Sequence, residues 1–371
     1  MIKLVDPSFH DAELDRAIQT LKKGSLIQGE TVELFEKELG SFIGVKHSLA
    51  VTSGTAALHL AMVALGIGQG DAVLVPAFTF PATSNVVEIV GAKTILVDVE
   101  EDTYCISPEA LETAIENWDG PEKLKALIIV HEFGLSCRLD AIHDIARRHH
   151  LYIIEDAACA LGTTFNERHI GGTGDVACFS FHPRKALTTG EGGLVVTNSD
   201  ELHDKLNKLR NHGIERNPEG LDFVLPGFNY RLTEFQAALG LEQITSFKDA
   251  LLRRKAIASM YLKAFVDLSI KLPRDYVGHA WQTFMIVLPF NSNRADIINQ
   301  LRDQEVESNL GAQAIHLLKY YKDKYGFRRE DYPVSAALYE KGLAIPIHGK
   351  MSDEDVYKVI DAMYHVLNKS R

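Results

Sequence analysis

The sequence has few cysteines. Its 371 residues include four, and no two of them form a CxxC pair or a regular framework; they are Cys105, Cys137, Cys159 and Cys178. Without such a pattern there is no sign of a disulfide scaffold. We therefore expect reduced, mostly buried thiols, as in a cytoplasmic protein.

Positive charge is also scarce, and long apolar runs are missing. Lysine and arginine total 39 against 50 acidic residues, so the net charge is −11 and there is no basic footprint for nucleic acid. No stretch approaches the roughly eighteen consecutive apolar residues of a membrane span. The N-terminus carries charge from residue 3 and lacks the apolar core of a signal peptide. We expect a cytoplasmic protein without nucleic-acid or membrane partners.

A metal site is not indicated either. His143, His149 and His150 lie on or just after one predicted helix, but they lack the HExxH spacing of a zinc site. We interpret them as surface histidines and expect no metal.

Short apolar runs alternate with helical patterns over the first 200 residues. This alternation predicts an α/β domain with a mainly parallel sheet flanked by helices. Seven strands are predicted, beginning near Ser48, Ala72, Thr94, Ala126, Tyr152, Val176 and Gly193.

From about residue 246 the alternation stops. A long helix over 248–268, a strand over 281–289 and helices over 294–303 and 354–367 predict a second, smaller α+β domain. We therefore expect a large domain over 1–245, with an N-terminal helical segment, and a small C-terminal domain over 246–371.

Two other segments carry simple patterns. Residues 10–23 predict a short amphipathic helix with Leu14, Ala17, Ile18 and Leu21 on one face. Residues 214–226 are polar and contain glycine, which predicts a flexible loop.

The most informative stretch is DVACFSFHPRKALTTGEGGLVVT, residues 175–197. It predicts a buried strand, a turn that carries Lys185, and a second buried strand. Burial disfavours the charged form of a lysine, and a neutral amine can attack a carbonyl to form a Schiff base. A solvated surface lysine is the alternative. The neighbouring Ser180, His182 and Thr188 and the glycine cluster favour the catalytic interpretation.

The segment FSFHPRKALTTGEGG resembles the lysine motif of the DegT/StrS-like family, the nucleotide-sugar aminotransferases of fold type I that depend on pyridoxal 5'-phosphate. The resemblance covers nearly the whole chain. It implies that Lys185 carries this cofactor, that Ser180 contacts it, and that the protein is a homodimer with shared active sites. Some relatives have histidine in place of the lysine and are similar to sugar dehydratases, so Lys185 favours amino transfer.

Two segments before the lysine also match the family. The junction TSGT, residues 52–55, predicts a helix N-terminus, whose free N–H groups bind anions. A plain Ser/Thr helix cap is the alternative. The resemblance implies that Gly54 and Thr55 bind the cofactor phosphate. It also implies that Phe80 covers the pyridoxal ring, with core packing as the alternative.

The strand YIIED ends in Asp156. Ligands of open α/β sheets bind beyond the carboxyl ends of the strands, and a carboxylate there can hold a proton on a pyridine nitrogen. The alternative is that Asp156 caps a helix that starts at Ala157. The pattern EDAAxALG resembles the family segment whose aspartate pairs with the ring nitrogen. Cys159 stands where the family often has glutamine or histidine near the ring hydroxyl.

Two residues later in the chain complete the expected site. The segment GFNYRLTEFQAA resembles one that crosses to the neighbouring subunit, which implies that Asn229 reaches the cofactor phosphate there. A cap at a helix start is the alternative. His316 corresponds best to a family histidine that contacts substrate.

The resemblance implies that an amino group moves from an amino acid, such as glutamate, to a keto-sugar nucleotide, in amino-sugar biosynthesis for a surface polysaccharide or glycoconjugate. Lys185, once free, would move the proton between the alpha carbon and the cofactor. Two alternatives stay open: dehydration of a sugar with the same cofactor, and a regulator that binds the cofactor without catalysis. The pair of Lys185 and Asp156 disfavours the regulator, because binding alone does not need it.

Overall fold

A computed structural model describes residues 1–218 and 220–369. Within them, no helix is both long enough and apolar enough to cross a membrane. The α-helices are α1 Asp11–Lys23, α2 Glu30–Ile43, α3 Gly54–Ala64, α4 Ala82–Ile89, α5 Pro108–Glu116, α6 Leu139–His149, α7 Asp200–Arg210, α8 Glu234–Ala264, α9 Arg294–Asp303, α10 Lys319–Tyr325, α11 Pro333–Lys341 and α12 Asp353–Lys369. Short 3-10 helices cover Glu132–Gly134, Ile315–Leu317 and Arg329–Asp331.

The strands group into one large sheet and several two-stranded pairs. Their bounds are β1 His47–Val51, β2 Asp71–Pro76, β3 Phe78–Thr79, β4 Lys93–Val97, β5 Lys123–Val130, β6 Tyr152–Asp156, β7 Thr164–Phe165, β8 Arg168–His169, β9 Val176–Ser180, β10 Gly193–Thr197, β11 Ile214–Asn217, β12 Gly220–Phe223, β13 Phe284–Val287, β14 Gln313–Ala314 and β15 Gly342–Ile345.

The large sheet contains the seven predicted strands, in the order β1-β10-β9-β6-β5-β2-β4. The pairs β9–β6, β6–β5, β5–β2 and β2–β4 are parallel. β10 runs antiparallel to both of its neighbours. The expected mainly parallel α/β sheet is therefore confirmed, with one antiparallel strand.

Helices cover both faces of this sheet, because its apolar side chains alternate between the two. Leu127 and Ile129 belong to an apolar cluster with residues of α2, α5 and α6. Ala126 and Ile128, their neighbours on β5, point the other way into a cluster with residues of α3, α4 and α7. Strands buried on both sides leave only their ends open to ligands.

The C-terminal part has its own apolar cluster, built from α8, α9, α12 and the antiparallel pair β13–β15. The long helix predicted over 248–268 is present as α8, but it begins earlier than predicted, at Glu234, and ends earlier, at Ala264. Thr245 and Ser246 lie inside this helix and donate their hydroxyls to backbone carbonyls of the preceding turn, an arrangement that helices tolerate. The expected domain division at 245/246 falls inside α8 and stays a prediction.

The sequence predicts a flexible loop over residues 214–226, but this segment contains secondary structure. It contains a hairpin in which β11 and β12 pair antiparallel from Ile214 opposite Phe223 to Asn217 opposite Gly220. Both strands are short and largely exposed, so their sequence lacks the apolar alternation that marks a half-buried strand. Leu221 and Phe223 are exposed on β12.

The N-terminal helix α1 forms where predicted. It packs against α8, and its Ala17 is buried. Leu14, Ile18 and Leu21, however, are exposed on the single chain. The apolar face of α1 is therefore only partly covered.

Candidate active site

The strand ends at the middle of the sheet bring the candidate residues together. Asp156 at the carboxyl end of β6 lies opposite Val130 on β5 and Cys178 on β9. Lys185 lies in the connection between β9 and β10, whose ends pair with each other from Ser180 to Gly193. The site therefore sits at the carboxyl edge, where ligands of open α/β sheets bind.

The connection that carries Lys185 is held by its own hydrogen bonds. The carbonyl of Phe181 accepts from the Thr188 hydroxyl at 2.8 Å and from the Thr189 N–H at 3.1 Å, and the N–H of Phe181 donates to Gly192 at 2.8 Å. The N–H of Lys185 donates to the carbonyl of His182 at 2.8 Å. These bonds fix the backbone of the lysine on both sides.

The side chain of Lys185 is half-buried and reaches toward the turn that follows β6. Its Nζ donates to Sγ of Cys159 at 3.1 Å. We expected burial to lower the pKa of the amine. Burial does act in that direction, but the pKa is raised overall because Cys159, Asp156 and Glu132 favour the charged form. In the absence of a ligand the lysine is therefore an ammonium group.

Asp156 is buried and hydrogen-bonded. Its carboxylate accepts from the Thr83 hydroxyl at 2.8 Å and from the Ala158 N–H at 3.1 Å. Burial nevertheless raises the pKa of this carboxyl, although these bonds and the charge of Lys185 oppose it. The helix-cap alternative is wrong, because no helix starts at Ala157 and the bond to Ala158 closes a local turn.

The N-terminus of α3 forms the other side of the pocket. Ser53 is its cap, and its hydroxyl accepts from the Ala56 N–H at 3.1 Å. Gly54 begins the helix so close to β9 that an added Cβ would lie 2.9 Å from Cβ of Ser180. A glycine is therefore needed to bring a helix N-terminus, which attracts anions, next to Ser180. The cap alternative holds for Ser53, and it leaves the N–H groups of Gly54 and Thr55 at the helix start.

Phe80 does not pack in the core, because 69% of its surface is exposed on the single chain. Phe78, two residues earlier, is the buried one. The carbonyl of Phe80 accepts from the N–H of Thr83, whose hydroxyl reaches Asp156. The aromatic ring thus stands at the start of the turn that supports Asp156.

Two expected residues are not brought into contact with this group. Asn229 is exposed, and its backbone pairs with Asn211. It does not cap a helix, since α8 begins at Glu234 with Thr233 as its cap. His316 is fully buried 5.0 Å from the ring of Tyr332, and neither ring nitrogen has a hydrogen-bond partner among the described residues. Burial lowers its pKa. The roles of both residues stay predictions.

Sequence reasoning missed a second carboxyl in the pocket, that of Glu132. It lies in the 3-10 helix directly after β5, and its side chain is buried. Burial and the charge of Asp156 raise its pKa to about 8, although Lys185 opposes them. The available signal was an acidic residue just beyond an apolar strand, in IIVHEFG.

The carboxylate next to Asp156 was missed as well, but it has a structural role. Glu155 points away from the pocket and accepts five hydrogen bonds, from His131 and from the loop over residues 171–174. These partners lower its pKa to about 2 despite its burial. Glu155 and Asp156 are adjacent on β6 but face opposite sides of the sheet, and their pKa values are shifted in opposite directions.

The pocket fits pyridoxal phosphate. A helix N-terminus beside a glycine matches a phosphate, a buried carboxyl matches a basic ring nitrogen, and the amine of Lys185 matches the carbonyl that it would attack. Cys159 is a poor hydrogen-bond donor, and burial raises the pKa of its thiol, although the charge of Lys185 opposes this. Within the described residues no cluster of three metal-ligating side chains occurs.

Comparison with known proteins gives a consistent picture. The model of the DegT/DnrJ/EryC1/StrS aminotransferase family matches residues 7–364. The chain is 36% identical to the spore coat polysaccharide biosynthesis protein SpsC of Bacillus subtilis, over 97% of this chain and 96% of that one. It is 35% identical to GDP-perosamine synthase of Caulobacter vibrioides, over 91% of each.

Among solved structures, the chain is similar to a Streptococcus pneumoniae protein assigned to the sugar aminotransferases and solved in its PMP form. The TM-score is 0.94 at 28% identity, and all of both chains is covered. The expected fold type I architecture is confirmed by this likeness.

Proposed function

Since the chain belongs to the DegT/DnrJ/EryC1/StrS aminotransferase family, we propose that it moves an amino group from an amino acid, glutamate, to the keto group of a nucleotide-linked sugar. The enzyme depends on pyridoxal phosphate. The observation that supports this function most directly is the meeting of Lys185 and Asp156 at the carboxyl edge of the sheet, where each charge acts on the other.

Lys185 would hold the cofactor and, when released from it, carry a proton to and from the substrate carbon. Bound pyridoxal phosphate supplies an electron sink for the pair of electrons left on that carbon. Asp156 would keep a proton on the ring nitrogen, because a carboxylate next to a pyridine stabilises its charged form. Thr83 orients this carboxylate through its 2.8 Å hydrogen bond. Phe80 would cover the ring.

The phosphate would bind at the N-terminus of α3, between Gly54 and Thr55 and the hydroxyl of Ser180. We further propose that Asn229 of a second copy completes this site in a homodimer. Its exposure on the single chain supports this assignment, as does the exposed apolar face of α1. The four free thiols support a cytoplasmic location, because reduced cysteines persist there.

A nucleotide-linked sugar as amino acceptor is supported by the relatives. GDP-perosamine synthase is named for an amino sugar carried on a nucleotide, and SpsC is named for polysaccharide biosynthesis. We propose the same class of product, an amino sugar for a surface polysaccharide or glycoconjugate.

The proposal is tested by incubating the purified enzyme with glutamate and a panel of keto-sugar nucleotides, followed by mass spectrometry. The expected result is an aminated sugar nucleotide and an equal amount of 2-oxoglutarate. Lys185→Arg is the matched control, because it keeps the positive charge but cannot hold the cofactor covalently. Water loss from the sugar without 2-oxoglutarate would instead identify a dehydratase.

A further inference from the structure

Glu132 is a buried carboxyl that faces the pocket and has no role in the function proposed above. It is 4% exposed. Its Oε2 atom has no hydrogen-bond partner within the described part of the chain. Buried polar atoms are nearly always paired, so an unpaired carboxyl oxygen next to a ligand pocket indicates a partner on the ligand.

The surroundings of Glu132 are the candidate site itself. Three groups face it: Asp156 from β6, Cys159 from the turn after β6, and Lys185 from the β9–β10 connection. Gly134, two residues later, approaches the same turn so closely that an added Cβ would lie 3.1 Å from the carbonyl oxygen of Cys159. The segment from Glu132 to Gly134 therefore packs closely against the turn that carries Cys159.

The order of the strands says which flank of the pocket Glu132 occupies. β6, which carries Asp156, lies between β9 and β5. Gly54 and Ser180 form the proposed phosphate site on the β9 side. Glu132 follows β5 and therefore stands on the opposite flank.

The chemistry of the cofactor makes these two flanks different. In the pyridoxal ring, the nitrogen and the carbon that bears the aldehyde are opposite each other. One flank between them carries the phosphate arm, and the other carries the hydroxyl group. If Asp156 and Lys185 mark the two poles and α3 marks the phosphate flank, the hydroxyl flank is the one that faces Glu132.

We propose that Glu132 is a cofactor-binding residue whose neutral carboxyl group donates a hydrogen bond to the ring hydroxyl oxygen of pyridoxal phosphate. The inference rests on the proposed function, because it needs the cofactor in this pocket. Cys159 is the other side chain near this flank, but a thiol is a weak donor and its sulfur already accepts from Lys185. The raised pKa of Glu132 supports a carboxyl group that keeps its proton at pH 7.

The test is a pH titration of the visible absorption of the holoenzyme in three forms: wild type, Glu132→Gln and Glu132→Leu. A hydrogen bond to the ring oxygen withdraws electron density, so its loss makes the linkage between Lys185 and the cofactor more basic. We expect Glu132→Leu to raise the pKa of the chromophore by about one unit, a tenfold change in proton affinity. Glu132→Gln keeps a donor and should stay close to wild type.

An ionised Glu132 would shift the pKa of the chromophore in the opposite direction. If Glu132 were an anionic partner of Lys185, both substitutions would remove a negative charge and lower the pKa of the chromophore. If it did not contact the cofactor, neither substitution would change that pKa. Either result would overturn the proposal. Glu155→Gln is the matched control: it also replaces a buried carboxyl group by an amide, but on the other face of β6, so it should leave the chromophore unchanged.

A second measurement does not depend on the leucine variant folding. The infrared difference spectrum between wild-type and Glu132→Gln holoenzyme should contain the band of a protonated carboxyl group, and a carboxylate band in its place would contradict the proposal. Both measurements use the cofactor without any sugar. They can therefore fail while amino transfer stands, and a wild-type protein that holds no pyridoxal phosphate would refute the proposed function first.

Discussion

Replacing glutamate by glutamine should change the free energy of unfolding in opposite directions at two positions, one on β6 and one directly after its neighbour β5. Glu155 and Glu132 are both buried carboxyls near the carboxyl edge of the sheet. Glu155 accepts five hydrogen bonds and has a pKa of about 2, whereas Glu132 has a pKa of about 8 and one oxygen that no described residue pairs with. The comparison is made on the protein without cofactor.

The magnitudes follow from linkage at about 1.4 kcal/mol per pKa unit. A pKa lowered from 4.5 to about 2 means that the ionised form of Glu155 contributes about 3 kcal/mol above pH 4.5, which is lost as the pH falls toward 2. The pKa of Glu132 is raised from 4.5 to about 8, so ionisation of this group lowers the stability of the folded protein as the pH rises. The unfolded chain ionises first, so by pH 7 folding has lost about 3 kcal/mol relative to pH below 4.5.

Glu155→Gln should therefore lower the free energy of unfolding at pH 7 by about 3 kcal/mol, since an amide cannot accept from all of these donors. Glu132→Gln should raise it by about 3 kcal/mol at pH 7 and by less than about 1 kcal/mol at pH 5, where the unfolded glutamate is only partly ionised.

Urea unfolding at pH 5 and pH 7 measures both differences, with the fluorescence of Trp118 and Trp281 as the signal. Protomer concentrations must be equal, because association adds to apparent stability. The reasoning would be refuted if Glu132→Gln destabilised the protein at pH 7, or if its effect were the same at both pH values.

Three further predictions concern the site. Borohydride reduction of the holoenzyme followed by peptide mapping should place the pyridoxyl group on Lys185, and a label on any other lysine would contradict its assignment. Asp156→Asn should leave the fold intact, as judged by circular dichroism, but slow turnover about a hundredfold, because an amide cannot hold the ring proton by charge; near-normal turnover with an unchanged cofactor spectrum would show that the carboxylate is not needed. Mixing inactive Lys185→Ala with inactive Asn229→Ala subunits should restore activity toward half the wild-type value per mixed dimer, because one of its two sites is then intact. Subunit exchange without any return of activity would place both residues in the same subunit's site.

The strands of the large sheet could be predicted from the sequence because they are buried on both faces. Stretches such as ALIIV in β5 are nearly continuous apolar runs, which are typical of strands buried between two layers of helices. The hairpin within 214–226 could not be predicted, because its strands are largely exposed and their sequence shows no alternation of apolar and polar residues. The start of α8 was missed because the α/β alternation stops near residue 246, although the helix itself continues through Thr245 and Ser246.

The candidate site was predicted where long sequence patterns exist, at Lys185, Asp156 and the turn around Gly54. The structure adds what patterns cannot contain, the effects of neighbours distant in sequence. Burial lowers the pKa of Lys185, but Cys159, Asp156 and Glu132 raise it by a larger amount. Glu132 itself carries no pattern, because an acid after a strand is most often a surface residue.

The single antiparallel strand of the sheet has a consequence for how fast Lys185 can act. A connection between parallel strands must cross the sheet through a long excursion, but β9 and β10 run in opposite directions, so residues 181–192 can turn back directly. Both ends of the turn are anchored in adjacent buried strands, and the backbone of the lysine is fixed between them. Its amine must therefore move by rotation about side-chain bonds rather than by the slower movement of a loop. The amine that we propose as the proton carrier therefore needs no movement of its loop in order to change position within the site.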